Sequence, residues 1–192
     1  MSRQFPRILF TDSVKLAQSH YGSREMVARM ETDGREDAIL TWKEMDFIQT
    51  RDSFYMASVG DEGWPYVQFR GGPRGFLKVL DDRTLAYADY RGNRQYISVG
   101  NVVGDERVCL FLMDYANKKR IKILARAEVH DAADRPDLAA RVVDQGYDAT
   151  VERVLVYRVE GFDWNCPQHI TPRFTDAEIA ERFSGASGAT GR

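Results

Sequence analysis

The spacing of apolar residues along this 192-residue chain changes from a helical period to an alternating one. Near the N-terminus, Val14, Ala17 and Tyr21 recur at spacings of three and four, which predicts a helix over residues 12–30. Residues 41–44 (TWKE) have the capping-box pattern that begins a second, shorter helix. Beyond it, apolar and polar residues alternate in short runs bounded by Gly, Asp and Pro, which is typical of β-strands joined by turns.

These runs predict about seven strands, most of them consecutive members of hairpins. The predicted strands span residues 54–59, 64–69, 76–80, 84–89, 107–113, 120–129 and 153–160. Further helices are predicted over residues 93–103, with Asn93 as N-cap, over 134–144, and from residue 175. Consecutive hairpins favour an antiparallel sheet, and a sheet of this size tends to close into a barrel without open edges. The expected fold class is therefore mainly β with flanking helices.

Composition predicts one domain of ordinary size. The hydrophobic content of 43% excludes general disorder, and no linker divides the chain. We expect residues 1–183 to form this single domain, with the first helices as an N-terminal extension. Residues 184–192 are rich in Gly, Ser and Ala, and we expect them to be a disordered tail.

Charge and apolar run length exclude several classes of function. The net charge is −2 and the sequence pI is about 6.0, so no basic field favours nucleic acid as a partner. No apolar run approaches the roughly 18–20 residues of a membrane span. The N-terminus lacks a signal-peptide pattern, and two cysteines, Cys109 and Cys166, fit a reduced compartment. We therefore expect a cytoplasmic protein.

The segment over residues 70–95 has the layout of an anion-binding site on a β scaffold. Its basic residues fall at strand ends or in glycine-rich turns. Glycine lets backbone amides approach an anion closely, and arginine offers a planar fork that matches phosphate oxygens. We expect a phosphorylated cofactor here, the alternative being solvated ion pairs with nearby aspartates. The basic residues are Arg70, Arg74, Lys78, Arg91 and Arg94.

A second candidate segment, residues 162–174 (FDWNCPQHITPRF), follows the last strand. Cys166 and His169 have metal-ligand spacing, but no second pair lies nearby, so a zinc site is disfavoured. A nucleophilic Cys166 with His169 as its base stays open. Either Trp164 and Cys166 pack beneath a loop, or Trp164, Asn165 and Gln168 line a ring pocket.

From residue 54 to residue 129 the chain resembles the pyridoxamine 5′-phosphate oxidase-like family of FMN-binding split barrels. The shared order is a hairpin, FLK at 76–78, a strand that includes Tyr87, GNRQ at 92–95 in place of a Gly-Ser-Arg-Lys-like turn, and RAE at 126–128. The closer likeness is to a subgroup with RGGPxGFLKVLD, YRGNRQ-like and NCPQHI segments. The resemblance covers about two thirds of the chain, and it implies an antiparallel split β-barrel of the FMN-binding type.

The resemblance also implies a set of cofactor-binding residues and a homodimer with the flavin at its interface. Phosphate ligands would fall on Arg70, Lys78, Asn93 and Arg94, with Arg91 as a neighbour. The ring or ribityl chain would pass beside Tyr87 and Ala88. Gln95 stands where the oxidases have a lysine. Arg120 and the segment near Trp164 would reach the partner's flavin. The expected residues are Arg70, Lys78, Tyr87, Ala88, Arg91, Asn93, Arg94, Gln95, Arg120, Trp164 and Gln168.

The resemblance implies an FMN-dependent oxidoreductase acting with a small-molecule substrate or electron donor. The oxidases' substrate-holding C-terminal segment is replaced here by FDWNCPQHITPRF, so vitamin B6 oxidation is not implied. The alternatives are a flavin-binding carrier with little turnover and a split barrel that uses deazaflavin or haem. No catalytic residue is assigned; the candidate proton donors are Tyr90, Cys166 and His169.

Overall fold

The computed structural model describes residues 3–184, which contain seven helices and seven strands. The helices are α1 Gln4–Leu9, α2 Asp12–His20, α3 Arg24–Thr32, α4 Trp42–Gln49, α5 Ile97–Gly104, α6 Pro136–Val142 and α7 Asp176–Ser184. The strands are β1 Ser53–Val59, β2 Pro65–Gly71, β3 Lys78–Asp81, β4 Thr84–Tyr90, β5 Arg107–Asp114, β6 Lys119–Asp131 and β7 Val151–Trp164. The predicted tail of residues 184–192 lies outside the described residues, apart from Ser184 at the end of α7.

All seven strands belong to one antiparallel sheet in the order β2-β1-β5-β6-β7-β4-β3. The sheet curls, so that Phe54 of β1 meets Tyr87 of β4 with ring centroids 5.6 Å apart. The edge strands β2 and β3 do not pair with each other, so the expected closure of the barrel by hydrogen bonds does not occur. Curling without closure gives the predicted antiparallel split β-barrel.

The interior of the barrel follows from the alternation of the strands. In β6, Ile121, Ile123 and Ala125 are buried, and the residues between them are partly exposed. Because neighbouring side chains of a strand point to opposite faces, one face of each strand fills the core. A second, smaller cluster on the other side of β4 packs Ala86 and Ala88 against α6.

The sequence did not predict α1, and two of the predicted helices differ from those in the structure. The helix expected over residues 12–30 is divided into α2 and α3, because Gly22 adopts a left-handed φ of +74° after α2 ends. The helix expected from Asn93 begins only at Ile97, after Tyr96 in a left-handed conformation, so Asn93 is not its N-cap. The capping box predicted at residues 41–44 is confirmed.

The N-terminal extension is held to the barrel by a buried ionic cluster. Arg3 donates from Nε to Asp37 (3.2 Å) and from Nη2 to Asp163 of β7 (2.6 Å). Asp37 also accepts from the backbone amides of Gln4 (2.6 Å) and Phe5 (3.0 Å), so it caps α1. One carboxylate therefore satisfies two free amides of a helix start and one buried guanidinium.

We predict that Asp37→Ala lowers the free energy of unfolding by about 2–4 kcal/mol, because it removes a helix cap and leaves Arg3 with Asp163 as its main buried partner. Urea denaturation of both proteins measures this difference. The matched control is Asp105→Ala, which removes an exposed carboxylate paired with Arg107 and should change the stability far less. Equal effects of the two variants would contradict the role of Asp37.

Candidate functional site

A cleft lies at the end of the barrel where β2, β4 and β7 meet the loop of residues 91–96. Its volume is about 200 Å³, and the start of α5 forms part of its wall. Among its lining residues are the polar side chains of Gln68, Arg70, Asp89, Asn93, Arg94 and Arg153.

The alternation of β2 supplies one wall of the cleft. Gln68 and Arg70 are half-buried and line the cleft, whereas Val67 and Phe69 between them are exposed on the outer face. Arg70 is paired in register with Phe54, whose side chain lies in the core. The guanidinium of Arg70 therefore lies at the end of the barrel and not on the outer face of the sheet.

A buried carboxylate bridges two arginines across the cleft floor. Asp89 is only 4% exposed and accepts from Arg70 Nη1 (3.2 Å) and Arg153 Nε (2.9 Å). The Nε of Arg70 is buried and has no hydrogen-bond partner within residues 3–184. With Arg94, three positive charges face one negative charge among the lining residues, a balance of +2. The cleft is therefore suited to an anion.

The loop of residues 91–96 is ordered by its own contacts. Arg94 and Tyr96 both have positive φ, +60° and +56°, and Arg94 Nε donates to the hydroxyl of Tyr96 (3.2 Å). The guanidinium of Arg153 lies over the Tyr96 ring, 4.8 Å from its centroid. Asn93 accepts from the backbone amide of Gln95 (3.1 Å). Arg94 and Arg153 are thereby connected to each other through Tyr96.

Four of the eleven expected cofactor-binding residues line this cleft: Arg70, Asn93, Arg94 and Gln95. Lys78 does not, because it pairs in register with Ala86, whose side chain faces α6 on the other side of the sheet. Its Nζ donates to Asp144 and to the carbonyl of Gly75.

Three further expected residues lie near the cleft but do not line it. Arg91 donates to Glu152 (2.9 Å) and is largely exposed. Ala88 is buried against α6. Tyr87 is buried in the aromatic core, but its hydroxyl donates to Asp89 (3.5 Å) on the cleft floor and the guanidinium of Arg70 lies over its ring.

The remaining expected residues are on other parts of the sheet. Trp164 Nε1 donates to Glu44 (2.7 Å), and its ring packs edge-on against Phe47, so it joins β7 to α4. Arg120 is the second residue of the long strand β6 and lies outside the cleft lining. Gln168 is exposed in the turn after β7.

The three candidate proton donors are also separated. Tyr90 lines the cleft, but its hydroxyl is buried; burial and the nearby charge of Asp144 raise the pKa of this phenol. Cys166 and His169 are exposed and lie outside the cleft lining. Within residues 3–184 no group of three or more His, Cys, Asp or Glu is placed to hold a metal ion.

Arg153 is the main cleft residue that the sequence prediction missed. It begins the predicted last strand, and its register pairing with Asp89 on β4 brings it into the cleft. Since these two residues are 64 positions apart, no local spacing could reveal the pair. The sequence shows only an arginine at the start of a predicted strand, and that position does not by itself indicate a binding site.

Comparison with known proteins agrees with the fold. The family model described as pyridoxamine 5′-phosphate oxidase matches residues 40–163, more than half of the chain. Group A Streptococcus HupZ has a TM-score of 0.52 at 16% identity, with 70% of this chain and 100% of that chain covered. A single-site variant of HupZ has a TM-score of 0.53 at 16% identity, with 66% of this chain and 100% of that chain covered.

Another solved structure is that of a Clostridium acetobutylicum protein related to general stress protein 26, of the pyridoxinephosphate oxidase family. Its TM-score is 0.48 at 15% identity, with 71% of this chain and 94% of that chain covered. No curated protein matches the sequence significantly. None of the helices within residues 3–184 has the length and apolarity that a membrane crossing requires.

We predict that Tyr157→Phe reduces the loss of stability at alkaline pH. Burial raises the pKa of the Tyr157 phenol above its ordinary value of 10.0. Above that value the unfolded chain releases the proton and the folded chain keeps it, so the free energy of unfolding falls by about 1.4 kcal/mol per pH unit for this group. Urea denaturation across this pH range measures the slope. Tyr21→Phe, at an exposed position, is the control, and equal slopes for wild type and Tyr157→Phe would contradict the prediction.

Proposed function

Because the chain belongs to the pyridoxamine 5′-phosphate oxidase family, we propose that it binds FMN and acts as a flavin-dependent oxidoreductase on a small molecule. The observation that carries this proposal is the cleft in which Arg70, Arg94 and Arg153 surround one buried carboxylate. The substrate and the electron donor are left unassigned, since nothing in the cleft selects them.

The donor groups of the cleft fit a terminal phosphate. A phosphomonoester carries about −1.5 to −2 charges at neutral pH, close to the +2 balance of the three arginines and Asp89. The buried and unpartnered Nε of Arg70 is a donor that a phosphate oxygen would satisfy.

Arg70 and Arg153 would hold the phosphate from the floor of the cleft, because Asp89 fixes both side chains. Arg94 and Asn93 would contact it from the loop above. When bound, a flavin would supply two-electron redox chemistry at its ring. The chain's own part is to bind the phosphate, to orient the cofactor and to exclude water from the end of the barrel.

One observation favours the second candidate, a flavin carrier with little turnover. The candidate donors Cys166 and His169 lie outside the cleft lining, and the hydroxyl of Tyr90 is buried. A cleft without an available acid or base is compatible with binding alone. Photoreduction of the FMN-loaded protein, followed by reoxidation with candidate acceptors, separates the two: fast turnover with one acceptor indicates an enzyme.

We also propose that a second copy of the chain completes the site. A volume of about 200 Å³ is below the range of about 300–1,000 Å³ typical of ligand pockets. The strand that forms its wall, β2, exposes Val67 (60%) and Phe69 (54%) on its outer face beside Tyr55 of β1. Such a continuous apolar surface is typical of a protein interface. A partner seated there would lie against the strand that carries Arg70.

We predict that the purified protein binds FMN, with the absorbance bands of a flavin, and that Arg94→Ala weakens this binding more than tenfold. The lost charge-assisted contact is worth about 1.5–3 kcal/mol. Arg153→Ala should have at least as large an effect, since Arg153 is less exposed. Calorimetric titration of the apoprotein with FMN gives the affinities.

Riboflavin and Arg107→Ala are the controls for this experiment. Riboflavin has no phosphate, so Arg94→Ala should leave its affinity unchanged. Arg107 is exposed and paired with Asp105 away from the cleft, so its loss should not affect FMN. Unchanged FMN affinity in Arg94→Ala and Arg153→Ala would show that the phosphate binds elsewhere; no FMN binding by the wild type would end the proposal.

We predict that the wild type is a dimer and that Val67→Glu is a monomer, because the variant places a charge at the centre of the apolar face of β2. Size-exclusion chromatography with light scattering measures the mass. Leu16→Glu is the matched control: Leu16 is exposed on α2, and this variant should stay dimeric. A monomeric wild type, or a dimeric Val67→Glu, would refute this interface.

A further inference from the structure

A second cavity lies where the glycine-rich loop of residues 71–75 and the end of the segment FDWNCPQHITPRF come together. Its volume is about 390 Å³, within the range of about 300–1,000 Å³ typical of ligand pockets and larger than that of the cleft. The loop contributes Arg74, and the segment contributes Arg173 and Phe174. The start of β1, the end of β5 and α7 complete the lining, which shares no residue with the cleft.

Two carboxylates in the lining are engaged within the chain. Asp114 is 4% exposed, forms an ion pair with Arg51 (3.3 Å) and accepts from the side-chain amide of Asn117 (2.9 Å). Glu178 accepts from the backbone amide (2.8 Å) and the hydroxyl (3.0 Å) of Thr175 at the start of α7. These two carboxylates and Arg51 therefore stabilise the wall of the cavity.

The other charged groups of the lining are two of each sign. They are Arg74, Arg173, Asp52 and Glu181. Arg74 and Asp52 line the same cavity, yet neither forms an ion pair within residues 3–184. The carboxylate of Asp52 accepts only a hydroxyl bond from its neighbour Ser53 (2.8 Å) in that part of the chain. Opposite charges that share a cavity without pairing leave room for a ligand that carries both.

The loop that carries Arg74 is fixed against the start of β1. The backbone amide of Gly72 donates to the carbonyl of Asp52 (3.0 Å). The amide of Gly75 donates to the carbonyl of Arg51 (2.8 Å). Gly75 has a left-handed φ of +80°, and a Cβ there would lie 2.9 Å from a backbone oxygen of α4. The guanidinium is therefore presented by a backbone that is ordered before any ligand binds.

Aromatic rings in the lining supply an apolar surface beside the charges. The guanidinium of Arg173 lies over the ring of Tyr115, 5.0 Å from its centroid. Phe174 is 37% exposed, and the guanidinium of Arg182 lies 4.1 Å from the centroid of its ring. The cavity therefore combines positive groups, negative groups and aromatic side chains.

We propose that this cavity binds an α-amino acid with a large apolar side chain. The carboxylate of the ligand would accept hydrogen bonds from Arg74 and Arg173, and its ammonium group would donate to Asp52. The apolar side chain would lie against Tyr115 and Phe174. An ion of one sign fits less well, because it would leave the opposite charges of the lining without a partner. Since the two cavities share no residue, this site does not depend on FMN binding.

Calorimetric titration of the full chain with L-phenylalanine tests this assignment, with analogues that each lack one feature. Phenylpropanoate has no ammonium group, and phenethylamine has no carboxylate. We expect each of them to bind at least about tenfold more weakly than L-phenylalanine, because a charge-assisted contact is lost. L-alanine, which lacks the ring, should also bind at least about tenfold more weakly, because it buries less apolar surface.

Variants of the lining separate the two charged contacts. Arg74→Met and Arg173→Met should each weaken L-phenylalanine binding about tenfold. Asp52→Asn should weaken L-phenylalanine binding to a similar extent and leave phenylpropanoate binding unchanged, which a general distortion of the cavity would not do. The matched control is Arg29→Met, because Arg29 is exposed on α3 and lies outside the cavity. Circular dichroism and the thermal midpoint confirm that each variant is folded.

Loss of L-phenylalanine binding in the three lining variants but not in Arg29→Met supports the site. Absence of L-phenylalanine binding by the wild type overturns it, as does phenylpropanoate binding of equal strength. Lining variants that bind as well as Arg29→Met also overturn it. FMN is titrated separately into the same proteins, and its affinity should not change in the lining variants. A chain that failed to bind FMN would refute the proposed function and leave the amino-acid result standing.

Discussion

The candidate site depends on one buried carboxylate. Asp89 accepts from Arg70 on β2 and from Arg153 on β7, and so it joins the edge of the sheet to its middle at the end of the barrel. A buried carboxylate without these partners would be costly, and two arginines without it would repel each other. The geometry of the cleft, its charge and the orientation of its donors all follow from this bridge.

The structure places the basic residues of one sequence segment on two faces of the sheet. Arg70 and Asp89 face the end of the barrel, whereas Lys78 lies on the opposite face of the sheet, where α6 and Asp144 engage it. A single anion cannot contact both faces of a sheet. Of the phosphate ligands that the family resemblance implies, Lys78 is therefore separated from Arg70, Asn93 and Arg94. Arg153, from a distant strand, lines the cleft with those three.

The sequence alone determined the local elements and the family. Alternation predicted the strand over residues 120–129, the pattern at residues 41–44 predicted the start of a helix, and short runs bounded by Gly, Asp and Pro predicted the first two strands. These features depend on neighbours a few positions apart, so spacing reveals them. The sequence also assigned Arg70 and Arg94 to the same predicted anion-binding site.

The tertiary structure decided the rest. In the folded chain α5 begins at Ile97 and not at Asn93, and Lys78 lies on the face of the sheet away from the cleft. Asp89 pairs in register with Arg153. Which face of a sheet a side chain occupies, and which distant strand lies opposite it, depends on register and curl, and these arise only when the whole sheet assembles.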